Sequence, residues 1–239
     1  MRAQLQANES RHSADVIEKS FASAATQTQQ TVDNQDSVII FPPLVELFRQ
    51  GQPAQEVYFI ESGIVKLIHE NQEGQEMIIG LRTREGVLGA ASVILKEPFP
   101  VSVKALTQCR LRRYSASAFI HRIKNESAFS WNMHLMHCRE IYAEISRIAQ
   151  LGNQSARHRL EQLLWQLIPS FDLKDVNKGF RVQLPLKHWE IAELIAITPQ
   201  HLSRLMKQME NEGLILQRKG WLIIPDPHRL YHAPDVFSF

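Results

Sequence analysis

The spacing of hydrophobic residues divides the chain into stretches that predict different kinds of secondary structure. From Val38 to about Arg113, short β-branched and aromatic runs alternate with glycine, asparagine or proline at roughly ten-residue intervals. That rhythm predicts an all-β barrel or roll. Within it, the segment IHENQEGQEMII places a polar turn at Asn71–Gly74 between two apolar runs and therefore predicts a hairpin.

A long helix is predicted after these strands. Between Ser127 and Gln150 there is no glycine or proline, and apolar residues recur at alternating three- and four-residue steps. Such a narrow seam is typical of helices that pair in coiled coils. We therefore expect a two-fold dimer in which the seams of two copies face each other, with packing on the same chain as the alternative. The seam residues are Trp131, Leu135, Cys138, Ile141, Ile145 and Ile148.

Three helices and a hairpin are predicted near the C-terminus. The segment Ala156–Ile168 is amphipathic, and a hairpin-like strand follows it. A second helix carries the apolar residues Trp189, Ile191, Ala192, Leu194 and Ile195. A tight turn at Ala196–Thr198 leads into a third helix, which ends at Glu212-Gly213 because glycine can take the left-handed conformation there. Short β-type segments flank Lys219-Gly220 and predict a hairpin. Two helices joined by a tight turn and followed by a β-wing form a winged helix-turn-helix.

The third of these helices has one apolar and one polar, basic face. In a winged helix-turn-helix the second helix of the motif lies in the DNA major groove. Arg204 can donate two hydrogen bonds to guanine, Gln200 can pair with adenine, and Ser203 can bind a base or a phosphate. Alternatively, this face is only solvated, or the motif serves as a dimerisation module. The predicted DNA-contacting residues are Thr198, Gln200, His201, Ser203, Arg204, Lys207, Arg218 and Lys219, while Leu202, Leu205, Met206 and Met209 form the apolar face.

Composition narrows the class of protein. The 239 residues are 44% hydrophobic, which is enough for two modest domains, and the formal net charge of +2 requires any nucleic-acid site to be a local patch. No apolar run approaches the roughly 20 residues of a membrane span, and the N-terminus lacks the apolar region of a secretory signal. Cys109 and Cys138 make neither a disulfide framework nor a metal-ligand spacing, so we expect a reduced, cytoplasmic protein.

Two segments resemble the cAMP receptor protein/fumarate-nitrate regulator (Crp/Fnr) superfamily. HWEIAELIAITPQHLSRLMKQMENEGLI is similar to its helix-turn-helix in order and length, and FRQGQPAQEVYFIESGIVKLIHE is similar to its cyclic-nucleotide-binding-type roll. Ser203-Arg204 matches the pair with which the anaerobic-regulator branch reads operators, while Gln200 replaces the usual glutamate. The resemblance covers about Val38 to Asp226. It implies a homodimeric bacterial transcription regulator that binds palindromic double-stranded DNA, with RNA polymerase as a partner.

The resemblance also implies an α+β architecture with a β-roll, a long dimerisation helix and a C-terminal winged helix-turn-helix. We assign the roll to residues 37–126, the long helix to 127–152 and the winged helix-turn-helix to 153–239. Residues 1–36 are polar, and we expect them to be disordered. The loop Pro169–Gly179 is either a contact for RNA polymerase or a plain connection.

The predicted sensor pocket differs from that of the cyclic-nucleotide members. In those members a Gly-Glu pair holds the ribose and an Arg-Ser pair holds the cyclic phosphate. The corresponding positions here are Gly89, Ala90, Phe99 and Pro100. A partly buried phosphate needs a cation or several donors, which alanine, phenylalanine and proline do not supply. We therefore expect that the roll binds neither cAMP nor cGMP and that it senses an unknown effector or none.

Metal and enzyme chemistry are not expected. The oxygen-sensing branch holds an iron–sulfur centre with N-terminal cysteines, and residues 1–36 contain none. His134 and Cys138 lie one helical turn apart, and we interpret them as part of the seam and its polar flank rather than as metal ligands. The strands between Val38 and Arg113 lack the clustered His and Glu residues of metalloenzyme rolls. The remaining alternative to a regulator is an interaction module whose helix-turn-helix no longer binds DNA.

Overall fold

Two antiparallel four-stranded sheets form the N-terminal part of the protein. The computed structural model describes residues 36–167, 180–182, 186–218 and 221–230. Residues 1–35, which make up nearly all of the segment for which we expect disorder, lie outside these ranges. One sheet has the strand order β1-β8-β3-β6 and the other β2-β7-β4-β5, which confirms the predicted roll. The strands are β1 (Asp36–Phe41), β2 (Glu46–Phe48), β3 (Glu56–Ser62), β4 (Val65–Glu70), β5 (Glu76–Arg82), β6 (Val87–Leu88), β7 (Ser102–Ala105) and β8 (Cys109–Ser115).

Strand β3 is buried on both faces, which explains its unbroken apolar run. Tyr58 and Ile60 point into the roll interior, where they pack with the second sheet. Val57 and Phe59 point to the other side and pack beneath helices. Because successive side chains of a strand alternate between faces, a strand covered on both sides has no polar face to alternate with.

Helices cover the outer side of the first sheet. They are α1 (Ala90–Leu95), α2 (Ala116–Asn125) and the long helix α3 (Ser127–Asn153). The long helix was predicted, whereas the one-and-a-half-turn α1 was not. Phe129 and Met133 of α3 are buried against this sheet, and the Arg122 guanidinium lies 4.2 Å above the Phe129 ring. These contacts anchor the first turns of α3 to the roll.

The C-terminal part is a winged helix-turn-helix, as predicted. The hairpin strands β10 and β11 pair through Arg218 and Trp221, and β9 adds a third strand in the place where one is predicted between the first and second helices. Trp189, which the spacing placed on the apolar face of its helix, is half exposed. The elements are α4 (Ala156–Leu167), β9 (Phe180–Val182), α5 (His188–Leu194), α6 (Pro199–Asn211), β10 (Leu216–Arg218), β11 (Trp221–Ile224) and a 3-10 turn (Pro227–Leu230).

The core of this C-terminal part is continuous with the roll. Ile64, Ile78 and Leu106 of the roll belong to the same apolar cluster as Leu164 of α4 and Ile191 of α5. The helix-turn-helix therefore packs on the sheet that contains β4 and β5, a contact that the division of the sequence into separate regions did not anticipate. Among the described residues, no helix is long and apolar enough to cross a bilayer.

Candidate nucleic-acid interface and ligand pocket

The turn between α5 and α6 has a defined backbone geometry. Ala196 takes a left-handed conformation with φ of 52°, and Arg159 of α4 donates to the Ile195 carbonyl at 2.8 Å. The Thr198 hydroxyl accepts from the His201 N–H at 3.2 Å and caps α6, and Pro199 occupies the first turn. The predicted helix start at Thr198 is thus confirmed, and the turn fixes the direction in which α6 leaves α5.

Burial on α6 follows the predicted division into two faces. Leu202, Leu205, Met206 and Met209 are buried in the C-terminal core. Thr198, Gln200, His201, Ser203, Arg204 and Lys207 are all exposed. Since the apolar face is fully used for packing, the polar face is presented to solvent as one continuous surface.

Two side chains at the start of this surface are available for hydrogen bonds. Within the part of the chain that the structure describes, Gln200 and Arg204 make no hydrogen bond or ion pair. The Ser203 hydroxyl donates to the Pro199 carbonyl at 3.1 Å, which leaves its oxygen free to accept. Lys207 donates to Glu210 at 3.0 Å, and this contact lowers the pKa of the Glu210 carboxyl. The DNA contacts assigned to these residues remain predictions.

The wing is connected to α6 through the same glutamate. The Gln217 N–H of β10 donates to Glu210 at 3.3 Å, and Arg218 is exposed at the end of that strand. Lys219, the other predicted phosphate contact of the wing, lies outside the described residues, as does the loop Pro169–Gly179. The described part of the wing therefore presents one cation, Arg218, beyond the C-terminal half of α6.

Arg157 holds the C-terminal end of α6, a role that the sequence analysis missed. This α4 residue bonds Glu212, the residue that ends α6, at 2.6 Å and the buried Glu161 at 2.9 Å. Hydrogen bonds to Glu212 and then Glu161 raise the pKa of the Arg157 guanidinium. The same contact lowers the pKa of the Glu212 carboxyl. The spacing of Arg157 and Glu161 is a helical ion-pair signal, but only the tertiary fold brings Glu212 to them.

The predicted pocket residues Gly89 and Phe99 lie in apolar surroundings. Gly89 has φ of 82°, and a Cβ on it would lie 2.9 Å from the Phe99 ring, so only glycine fits there. Ala90, the first residue of α1, is buried. The Phe99 ring is buried and stacked on Phe48, with 3.9 Å between centroids. Gly89 and the Phe99 ring are therefore adjacent, whereas Ala90 belongs to the apolar cluster beneath the helices and not to the roll interior that holds Phe99.

The loop that carries Phe99 is fixed by backbone bonds. Its N–H donates to the Gln52 carbonyl at 3.0 Å, and its carbonyl accepts from the Gly51 N–H at 2.8 Å. Pro100 is exposed, so it does not line the space beside Gly89. Its carbonyl lies 3.4 Å from the His69 ring nitrogen Nδ1. Among the predicted pocket residues, none has a side chain that offers the charge or the N–H donors that a cyclic phosphate needs.

Ion pairs join the roll to the long helix on its β5 side. Arg82 bonds Glu144 at 2.8 Å and lies 3.7 Å from Glu140. Burial raises the pKa of the Glu140 carboxyl, an effect that Arg82 and His137 oppose. Glu144 is thus engaged by an arginine of the same chain.

The predicted seam of α3 is uncovered along its length. Trp131 and Ile148 are 65% and 69% exposed, and Leu135, Cys138, Ile141 and Ile145 are exposed as well. The alternative that this seam packs on its own chain is therefore wrong for the described residues, because α3 uses Phe129 and Met133 for that purpose. Large exposed apolar stripes on a helix are typical of interaction surfaces.

Comparisons with known proteins agree with this architecture. The family model "Cyclic nucleotide-binding domain" matches residues 39–126, and the model "Crp-like helix-turn-helix domain" matches residues 158–233. The cAMP-activated global transcriptional regulator CRP of Escherichia coli O6:H1 is 22% identical over 73% of this chain and 83% of its own length. The nitrogen fixation regulation protein FixK of Azorhizobium caulinodans is 22% identical over 81% and 77%.

A solved structure supports the same fold. FixK2 from Bradyrhizobium japonicum superposes with a TM-score of 0.70 at 16% identity, covering 85% of this chain and 99% of that one. The order of elements, the two matching domain models and the related regulators agree from the first strand to the wing. The chain belongs to the Crp/Fnr superfamily of helix-turn-helix transcription regulators.

Proposed function

We propose that this regulator acts as a homodimer that reads a two-fold symmetric operator through the polar face of α6. One observation carries the proposal: Gln200 and Arg204 project from the first turns of α6 with no partner among the described residues, while the opposite face is buried. Side chains in this position on the second helix of such a motif reach base edges in the major groove.

The dimer is supported by the exposed seam of α3. A single chain leaves Trp131, Ile141 and Ile148 in water, and a second α3 running alongside would cover all of them. A two-fold axis along the seam would also relate two copies of α6, which matches the palindromic operators of helix-turn-helix dimers. RNA polymerase is the expected protein partner, and the bacterial cytoplasm is the expected site of action.

The apolar surroundings of Gly89 and Phe99 support a roll that binds no cyclic nucleotide. A cyclic phosphate beside Gly89 would meet the Phe99 ring, which carries no charge and donates no hydrogen bond. Placing the anion there without a counter-charge is costly. Any effector of this chain would therefore have another chemistry or another site.

The test is selection of bound duplexes from a random pool, followed by affinity measurements with variants of single side chains. Arg204→Ala should cost about 1–3 kcal/mol on the selected operator and relax the preference at one base pair per half-site. Lys207→Ala should weaken all duplexes alike and flatten the salt dependence by about one unit for each phosphate that is no longer neutralised.

The matched control is Arg84→Ala, which removes the same charge as Arg204→Ala from an exposed turn of the roll. It should leave sequence preference unchanged. If the wild-type protein selects no duplex, the chain is an interaction module and the proposal is wrong. If Arg204→Ala and Arg84→Ala behave alike, Arg204 does not read a base.

A further inference from the structure

A buried ion pair connects the roll directly to the helix-turn-helix. Lys66 on β4 donates to Glu190 on α5 at 2.5 Å, and their side chains are only 12% and 5% exposed. Removing either partner would leave the other charge buried and unpaired, which would disfavour the docked arrangement. This contact was not predicted, because the two residues are far apart in the sequence.

Glu190 transmits the contact to the whole of α5. Its second oxygen accepts from the Lys187 N–H at 2.6 Å, so the carboxylate also caps the first turn of the helix. Ile191, the next residue, is buried in the cluster that contains Ile64 and Ile78 of the roll. The ammonium of Lys66 and this apolar contact together fix the position of α5, and α6 follows through the tight turn after Ile195.

We propose that Lys66 is a positioning residue of the roll, which sets the orientation of the helix-turn-helix and thereby the half-site spacing that the dimer accepts. This inference rests on the proposed function. Half-sites read by such dimers lie about 34 Å apart, and one added base pair rotates a half-site by about 35° around the duplex. A motif that is docked firmly on the roll binds poorly to a half-site that is rotated in this way. A loosely held motif follows the rotated half-site but binds more weakly, because it must become ordered on the DNA.

The strand register provides a matched control. Lys104 on β7 is the direct cross-strand neighbour of Lys66, so both side chains point to the same face of the sheet. Lys104 is half-buried, and its side chain makes no ion pair or hydrogen bond with any residue that the structure describes. Lys104→Met therefore removes the same charge from the same row without touching Glu190.

The experiment compares spacing selectivity among wild type, Lys66→Met, Glu190→Gln and Lys104→Met. Fluorescence anisotropy would measure the dissociation constant for the selected operator and for duplexes with one or two base pairs added or removed between half-sites. Wild type and Lys104→Met should prefer one spacing strongly. For Lys66→Met, the dissociation constant at that spacing should be about tenfold higher, because the helix-turn-helix must then become ordered on the DNA. The difference in affinity between spacings should nearly vanish.

Glu190→Gln reaches the same contact from the other side and keeps an oxygen for the Lys187 N–H, so it should fold even if Lys66→Met does not. It should show the same loss of spacing preference. If both variants fold and keep the wild-type ratio between spacings, Lys66 does not position the motif, whatever happens to overall affinity.

Amide hydrogen exchange of the full chain without DNA gives an independent readout. Exchange in α5 and β5 should accelerate in Lys66→Met and Glu190→Gln but not in Lys104→Met. Unchanged exchange in both pair variants would overturn the inference. Wild-type protein that selects no duplex would refute the proposed function alone, because the exchange experiment still decides whether Lys66 holds α5.

Discussion

Replacing Ile145 with glutamate should convert the protein to a monomer. Ile145 is the fifth of the six residues of the exposed seam on α3 and is 47% exposed in the single chain. In a two-fold dimer the substituted carboxylates would face each other in a place from which water is excluded. Ala143 is exposed on the opposite side of the same helix, so Ala143→Glu adds the same charge without entering the stripe.

The expected effect follows from the exposed area. Full burial of an aliphatic side chain contributes about 1.5–3 kcal/mol, so a half-exposed isoleucine that becomes covered contributes about 1 kcal/mol per copy. Ile145→Glu forfeits this contribution twice, about 2 kcal/mol in all. Desolvating two like charges adds several kcal/mol per ion. The dimer should therefore weaken by more than about 5 kcal/mol, or over a thousandfold in dissociation constant.

Sedimentation velocity at micromolar concentration would measure this effect. Wild type and Ala143→Glu should sediment as dimers, and Ile145→Glu should sediment as a monomer. The operator affinity of Ile145→Glu should fall by more than the contribution of one half-site. A dimeric Ile145→Glu protein would refute the assignment of the interface to α3. A monomeric wild type that binds its operator tightly would refute the dimer itself.

Three further predictions concern the base pair that Gln200 faces, the predicted ligand pocket and the contact of Glu140 between the roll and α3. Gln200 can both donate and accept hydrogen bonds, so Gln200→Glu should shift the preference at the base pair it faces from A·T toward C·G. If both proteins rank the four base pairs identically, Gln200 does not read a base. Millimolar cAMP should leave the melting temperature unchanged, whereas a ligand at about 100 times its dissociation constant would add about 2.7 kcal/mol. Glu140→Gln should raise thermal stability at pH 7, because burial raises the pKa of the folded Glu140 carboxyl and ionising it therefore disfavours the folded state. That gain should shrink as pH falls toward about 4, the range of the unfolded carboxyl, and a gain that is constant from about pH 4 to 7 would contradict the argument.

The parts of the fold that could be predicted from sequence are those encoded by local spacing. The cap at Thr198, the stop at Gly213 and the buried stripe of α6 depend on residues within a few turns of each other. The hairpin turn at Asn71 is likewise local, since its side chain accepts from the Glu73 and Gln75 N–H groups. Such signals are present in the chain before it folds.

Contacts between distant segments could not be predicted in this way. Lys66 and Glu190 carry no mutual signal in the sequence, and Arg157 meets Glu212 only when α4 and α6 pack together. Trp189 was misassigned because helical spacing alone does not tell which flank of an apolar face the neighbouring sheet covers. The resemblance to the family aligns Phe99 with an arginine, but only the packing shows that its ring is stacked on Phe48.

The stack of Phe48 and Phe99 determines how this roll can change through mutation. Either charged residue of a cyclic-nucleotide site, introduced alone at Ala90 or Phe99, would stand unpaired in an apolar core and reduce stability before any ligand could compensate. Acquiring the charged pairs of a cyclic-nucleotide site would therefore require several simultaneous substitutions, because each charged residue alone would lower stability. A series of single mutations from this roll to a nucleotide-binding one would therefore pass through destabilised proteins.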